Sequence, residues 1–112
     1  MLEKNNILYL CVLMAVSDFN LQKKEVHKII EISKELKIDF NVHDAVEKIG
    51  KKFRDDFDSA CNFYLNNIKT DKNRQLAKQY IKEIALVDNN LKDREVRLLV
   101  LCKQAWGRSA FD

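Results

Sequence analysis

Four carboxylates in this sequence stand in a register that could hold a cation. "AVSDFNLQKKEV" begins at Ala15 and "ALVDNNLKDREV" begins at Ala85, and the two stretches align without a gap. Asp18 then falls on Asp88, Asn20 on Asn90, Leu21 on Leu91, Glu25 on Glu95 and Val26 on Val96. Lys24 faces Arg94. Each copy carries an Asp and then a Glu seven positions later. If the two copies lie side by side, Asp18, Glu25, Asp88 and Glu95 converge into an all-oxygen cluster. Such a cluster suits a hard divalent cation, calcium or magnesium. The spacing is not that of an EF-hand: counted from Asp18, the bidentate twelfth position falls on Ile29, and the loop glycine is absent.

Helix capping offers a second explanation for the same residues. Each phrase sits between two apolar-periodic segments, with the first helix expected to end near Asp18 or Asp88 and the next to begin near Gln22 or Lys92. Leu21 and Leu91 then plug the turn, and Glu25 and Glu95 fall at the third helical position of a half-written capping box. Asp18 and Asp88 would accept the first free N–H groups of the following helix. Against this, an Asp at a helix C-terminus faces the negative end of the macrodipole, which costs about 0.3–1 kcal/mol when exposed. The chain does this twice, and both explanations stay open at this point.

The elements that must position these residues are helical. The chain has 112 residues, no proline and two glycines, Gly50 and Gly107. Tight turns with positive φ are hard to build from so few glycines, so an all-β fold is disfavoured. Hydrophobic residues make up 46% and charged residues 33%, enough for one domain, residues 1–112, with its own core. Apolar residues recur three and four apart. Val26, Ile29, Ile30, Ser33 and Leu36 form a stripe on a helix from about Gln22 to Lys37. Val42, Ala45, Val46 and Ile49 form another, with Asn41 as N-cap and Gly50 as the stop. Phe53, Phe57, Ala60, Cys61, Tyr64 and Ile68 follow. Leu76, Ala77, Tyr80, Ile81, Ile84 and Ala85 come next, behind a Thr70 or Asp71 cap. A last helix from about Lys92 to Trp106 is apolar around most of its circumference and is expected to sit centrally.

At the repeated phrase the chain resembles the TerB-like family, small helical proteins named for bacterial tellurite resistance. The hallmark of that family is a helix ending in Asp-Gly-x-apolar and a Glu at the start of the next helix, near both ends of the domain. "SDFNLQKKEV" and "VDNNLKDREV" match it twice, with Phe19 and Asn89 in place of the glycine. The resemblance covers Ile7 to Trp106. It implies a compact all-α bundle of about six to seven helices with an internal helix-hairpin pseudo-repeat. It also implies a cytoplasmic role in stress response or metal-ion resistance, and an acidic patch of Asp18, Glu25, Asp88 and Glu95 for a divalent cation.

Other chemistries find little in this chain. Cys11, Cys61 and Cys102 are odd in number, far apart and set in apolar runs, which reads as buried thiols. His27 and His43 lack a second ligand at helical spacing. No nucleophile elbow or glycine-rich phosphate loop is present, so no enzyme is expected. "ILYLCVLMAV", Ile7 to Val16, is too short to span a bilayer, and the "MLEKNN" before it lacks the positive charge of an export signal, so a buried first helix is expected and no membrane insertion. Lys48, Lys51, Lys52 and Arg54 make one basic run. Asp55, Asp56 and Asp58 follow directly, and with a net charge of only +3 no nucleic-acid partner is expected. The expected action is non-enzymatic, through cation binding, a protein partner or both. The alternatives are a purely structural protein-interaction module and a small helical nucleic-acid-binding protein.

Overall fold

Six helices follow one another in the computed structural model: α1 (Glu3–Ala15), α2 (Lys23–Glu35), α3 (Val42–Phe53), α4 (Phe57–Asn66), α5 (Asp71–Val87) and α6 (Lys92–Trp106). The structure describes residues 3–15, 23–54, 56–87 and 92–107. Of these, 86% are helical and none is in a strand, which makes the protein an all-α bundle.

Short polar side chains start the helices where the sequence offers them. Asn41 accepts the Asp44 N–H at 3.0 Å and opens α3. Asp56 accepts the Ser59 N–H at 3.0 Å and opens α4. Thr70 accepts the Asn73 N–H on its hydroxyl at 3.4 Å and the Arg74 N–H on its carbonyl at 3.0 Å, so Thr70 rather than Asp71 caps α5. Each cap satisfies donors that the first helical turn leaves free.

Gly50 is not the stop for α3. The helix runs through it to Phe53 and ends at Arg54, whose φ is 53° and whose N–H reaches the Gly50 carbonyl at 3.0 Å. A Cβ on Gly50 would meet nothing within 4 Å, so neither packing nor backbone conformation requires glycine there. Gly107, with φ 79°, does close α6, donating its N–H to the Lys103 carbonyl at 2.9 Å.

The central helix is α1. Every residue from Ile7 to Ala15 is buried, and α1 packs against all five other helices. The near-continuous apolar run therefore belongs to a helix covered on all sides. The expected central place of α6 is not observed: Val96 is 61% and Val100 41% exposed, so one face of α6 meets solvent. On α2 the buried stripe is Ile29, Ile32 and Ser33, with Ile30 turned outward.

Polar contacts between helices define their directions. The Glu3 carboxylate accepts the backbone N–H groups of Lys69 and Thr70, the Thr70 hydroxyl at 3.2 Å and the Asn73 amide at 2.5 Å. The starts of α1 and α5 are thereby joined, and the two helices run parallel. Lys28 pairs with Glu83 at 3.0 Å and the Tyr80 hydroxyl donates to Glu35 at 3.0 Å, so α2 runs antiparallel to α5. Arg94 donates to the Leu13 carbonyl at 3.0 Å, while Trp106 donates to the Leu65 carbonyl at 2.9 Å and lies 5.5 Å from the Arg74 guanidinium. The start of α6 therefore meets the end of α1, and its end returns to the start of α5.

Candidate functional site

Parallel packing of α1 and α5 determines where the repeated phrase can act. Ala15 closes α1 and Lys23 opens α2; Val87 closes α5 and Lys92 opens α6. Since the starts of α1 and α5 are tied together by Glu3, the described flanks of both phrases emerge at the opposite end of the bundle. Asp18 and Asp88 themselves lie outside the described residues. Glu25, the third residue of α2, is only 2% exposed. A carboxylate buried that deeply needs polar partners, and Glu25 is not without one. Glu95 is half-buried in the first turn of α6. Glu25 is thus the third residue of its helix and Glu95 the fourth, not the third as the aligned phrases suggest, and their environments are unequal. Among the described residues, to which Glu25 and Glu95 belong and Asp18 and Asp88 do not, no group of three or more His, Cys, Asp or Glu side chains gathers as metal ligands.

Arg94 shows how the second hairpin is held. Its guanidinium donates to a carbonyl in the last turn of α1, one of the orphan acceptors at a helix end. It also lies 5.5 Å from the Phe57 ring. Lys24 occupies the same position in the first copy. The register matches a cation at the start of one helix with the carbonyl-rich end of another, where the macrodipole favours positive charge.

The basic run resolves differently from its sequence. Asp58 faces Arg97 on α6 through a two-pronged ion pair, and this guanidinium holds its carboxyl below the ordinary aspartate value. Asp56 turns to the start of α4, taking the Ser59 N–H at 3.0 Å and its hydroxyl at 2.7 Å. Neither neutralises Lys48, Lys51 or Lys52, which is the role their sequence proximity suggested; Asp55 lies outside the described residues. The three lysines instead line a groove of about 420 Å³ floored by Tyr9, Phe63 and Tyr64. Sequence reasoning missed Phe63, which is 39% exposed. The available signal was its place outside the stripe of Phe57, Ala60, Cys61, Tyr64 and Ile68.

His27 and His43 are exposed. All three cysteines are buried and free, and burial pushes the Cys11 and Cys102 thiols up to about 12 and Cys61 up as well. Such thiols are poor nucleophiles, because the thiolate is the reactive form. Compared with protein-family models, with curated proteins and with solved structures, the chain has no match.

Proposed function

We propose that the chain is a non-enzymatic, TerB-like protein of bacterial stress response and tellurite or metal-ion resistance. It works in the cytoplasm through a divalent cation, calcium or magnesium, held by Asp18, Glu25, Asp88 and Glu95, through a protein partner, or through both. The observation that supports this is the parallel pairing of α1 and α5 through Glu3, which leaves the described flanks of both phrases at one end of the bundle. Glu25, buried in the first turn of α2 at that end, adds a carboxylate already removed from water.

Capping remains the competing account, and it has an observation of its own: Asn41, Asp56 and Thr70 show side-chain oxygens capping three helices of this bundle. On that account the protein is a structural interaction module without a cation. Thermal melting separates the two. A cation bound only by the folded state stabilises it by about 2.7 kcal/mol at a hundredfold excess over its dissociation constant. Millimolar calcium or magnesium should therefore raise the melting temperature relative to chelator. Superimposable curves in calcium, magnesium and chelator would decide for capping.

A further inference from the structure

The groove beside α3 has a chemistry that neither the acidic phrases nor helix capping explains. Lys48, Lys51 and Lys52 stand at positions i, i+3 and i+4, which places them on one face of α3 with Cβ atoms about 5–6 Å apart. All three are exposed. The C-terminal end of α3 gives Lys51 and Lys52 a structural reason to be basic, since cations complement the macrodipole there. It gives no reason for an exposed aromatic ring between them. Phe63 nonetheless lies 39% exposed on α4, with the Lys52 ammonium 3.6 Å from its ring centre. Tyr9 from α1 and Tyr64 from α4 complete the floor.

The charges in the groove are weakly committed. The ion pair of Lys51 with Glu47, at 3.0 Å, has both side chains more than 60% exposed. A pair of this kind is worth about 0–1 kcal/mol and exchanges readily for another carboxylate. Lys48 makes no ion pair among the described residues. No acidic side chain lines the groove among the described residues. Its described walls are thus lysines around an aromatic floor, with Glu47 at the outer side of Lys51.

We propose that this groove docks an acidic helical segment of a partner protein, with carboxylates one helical turn apart on the lysines and an apolar side chain against the part of the Phe63 ring that Lys52 leaves exposed. Charge complementarity selects the sign of the partner. The spacing of the lysines matches Asp or Glu residues three and four apart on a facing helix. The arrangement of the rings argues for a peptide over a single-stranded nucleic acid, which needs open aromatic faces on which bases stack. Here Tyr9 and Tyr64 stack on one another, 4.7 Å apart and within 4° of parallel, and Lys52 already sits over Phe63. Their sub-tenth exposure leaves Tyr9 and Tyr64 as floor rather than platform. This inference deepens the partner-binding limb of the proposed function and is independent of the cation limb, whose test is melting with and without metal.

Fluorescence anisotropy with the intact chain tests it. The probe is a fluorescein-labelled peptide of repeated Glu-Glu-Leu, and labelled oligothymidylate is the nucleic-acid arm. The peptide should bind, and more weakly as salt rises, because exposed charges are screened. The double variant Lys48→Gln/Lys51→Gln should bind it about tenfold more weakly, a difference that reads directly as a change in dissociation constant. Both side chains are exposed, so the variant should melt with the parent chain, which a parallel melting curve verifies. A Phe63→Ser variant should weaken the peptide at high salt as well, where the ionic contribution is small. Absence of peptide binding, equal affinity in the lysine variant, or tighter binding of oligothymidylate than of the peptide at the same salt would each overturn the proposal.

Discussion

Glu3 and Thr70 are 67 residues apart in sequence, yet the Glu3 carboxylate accepts the Thr70 backbone N–H at 3.1 Å. A side chain in the first turn of α1 thus caps the start of α5, together with the N–H of Lys69 and the amide of Asn73. The capping group comes from a different helix, and so it does two jobs: it satisfies free donors and aligns the two helices. The common end of the bundle toward which the described flanks of both phrases lead follows from that alignment.

Glu3→Ala should therefore cost about 1–2 kcal/mol, at the upper part of the range for a lost cap, because several donors lose their acceptor at once. The contact also has a pH signature. The Lys69 N–H above all, helped by Asn73 and Thr70, holds the Glu3 carboxyl below its ordinary value near 4.5. A carboxyl whose folded value is depressed contributes stability that is present above the ordinary value and lost as pH falls through the lowered one. Acid titration of the melting temperature should show a loss starting near pH 4.5. That component should be missing in Glu3→Gln; an unchanged acid limb in that variant would assign the loss to other carboxylates.

Lys37 ends α2 in a left-handed conformation, with φ 58°. The Ile38 N–H reaches the Ser33 carbonyl at 2.9 Å and the Lys37 N–H reaches Lys34 at 3.1 Å, the two bonds of a Schellman turn. Lysine occupies the position where glycine is usual. An L-residue in that region costs about 1–2 kcal/mol, part of which glycine gives back through its greater freedom when unfolded. Lys37→Gly should stabilise the chain by about 0.5–1 kcal/mol, read as a higher denaturant midpoint with the slope unchanged. Lys37→Ala should leave the midpoint nearly where it is, since alanine keeps the Cβ that is strained.

Neighbouring isoleucines on α2 should respond very differently. Ile32 is fully buried, and Ile32→Ala should cost about 2–5 kcal/mol through lost transfer energy and a residual cavity. Ile30, at 36% exposure, should cost about 0.5–1 kcal/mol when changed to alanine. Equal losses from the two in urea denaturation would mean that α2 presents a different face to the core.

For the acidic phrases, Asp88→Asn should abolish cation-dependent stabilisation more completely than Asp18→Asn. The second copy carries Asn89 where the resembled family has glycine, and asparagine tolerates a left-handed backbone better than Phe19 does in the first. If the carboxylates only cap helices, each Asn variant should melt close to the parent, because Asn caps about as well as Asp. Differential scanning calorimetry of both variants, with calcium and with chelator, distinguishes these outcomes.

Much of the local structure was legible in the residues themselves. The absence of proline, the scarcity of glycine and the spacing of apolar side chains point to helices throughout, and Asn41 and Thr70 mark two starts because a short side-chain oxygen before an apolar-periodic run has donors to satisfy. The caps are local, and a local signal suffices for them. Which helix is central was not local. α1 carries an unbroken apolar run from Ile7 to Ala15 and α6 a shorter one from Leu98 to Cys102, and the packing of five neighbours on α1 distinguishes the covered helix from the one with Val96 and Val100 in solvent. The choice of Ile32 over Ile30 was likewise decided by which neighbours α2 meets. Charge partners were the least legible of all: Asp58 stands four residues from Arg54 in sequence yet pairs with Arg97, and Glu3 finds its donors on α5. The chain by itself determined helices, caps and the matched register of the two phrases, since these depend on near neighbours along the backbone. The parallel alignment of α1 with α5, and with it the common end of the bundle toward which both phrases lead, was decided by contacts between distant residues that only the tertiary structure brings within hydrogen-bonding distance.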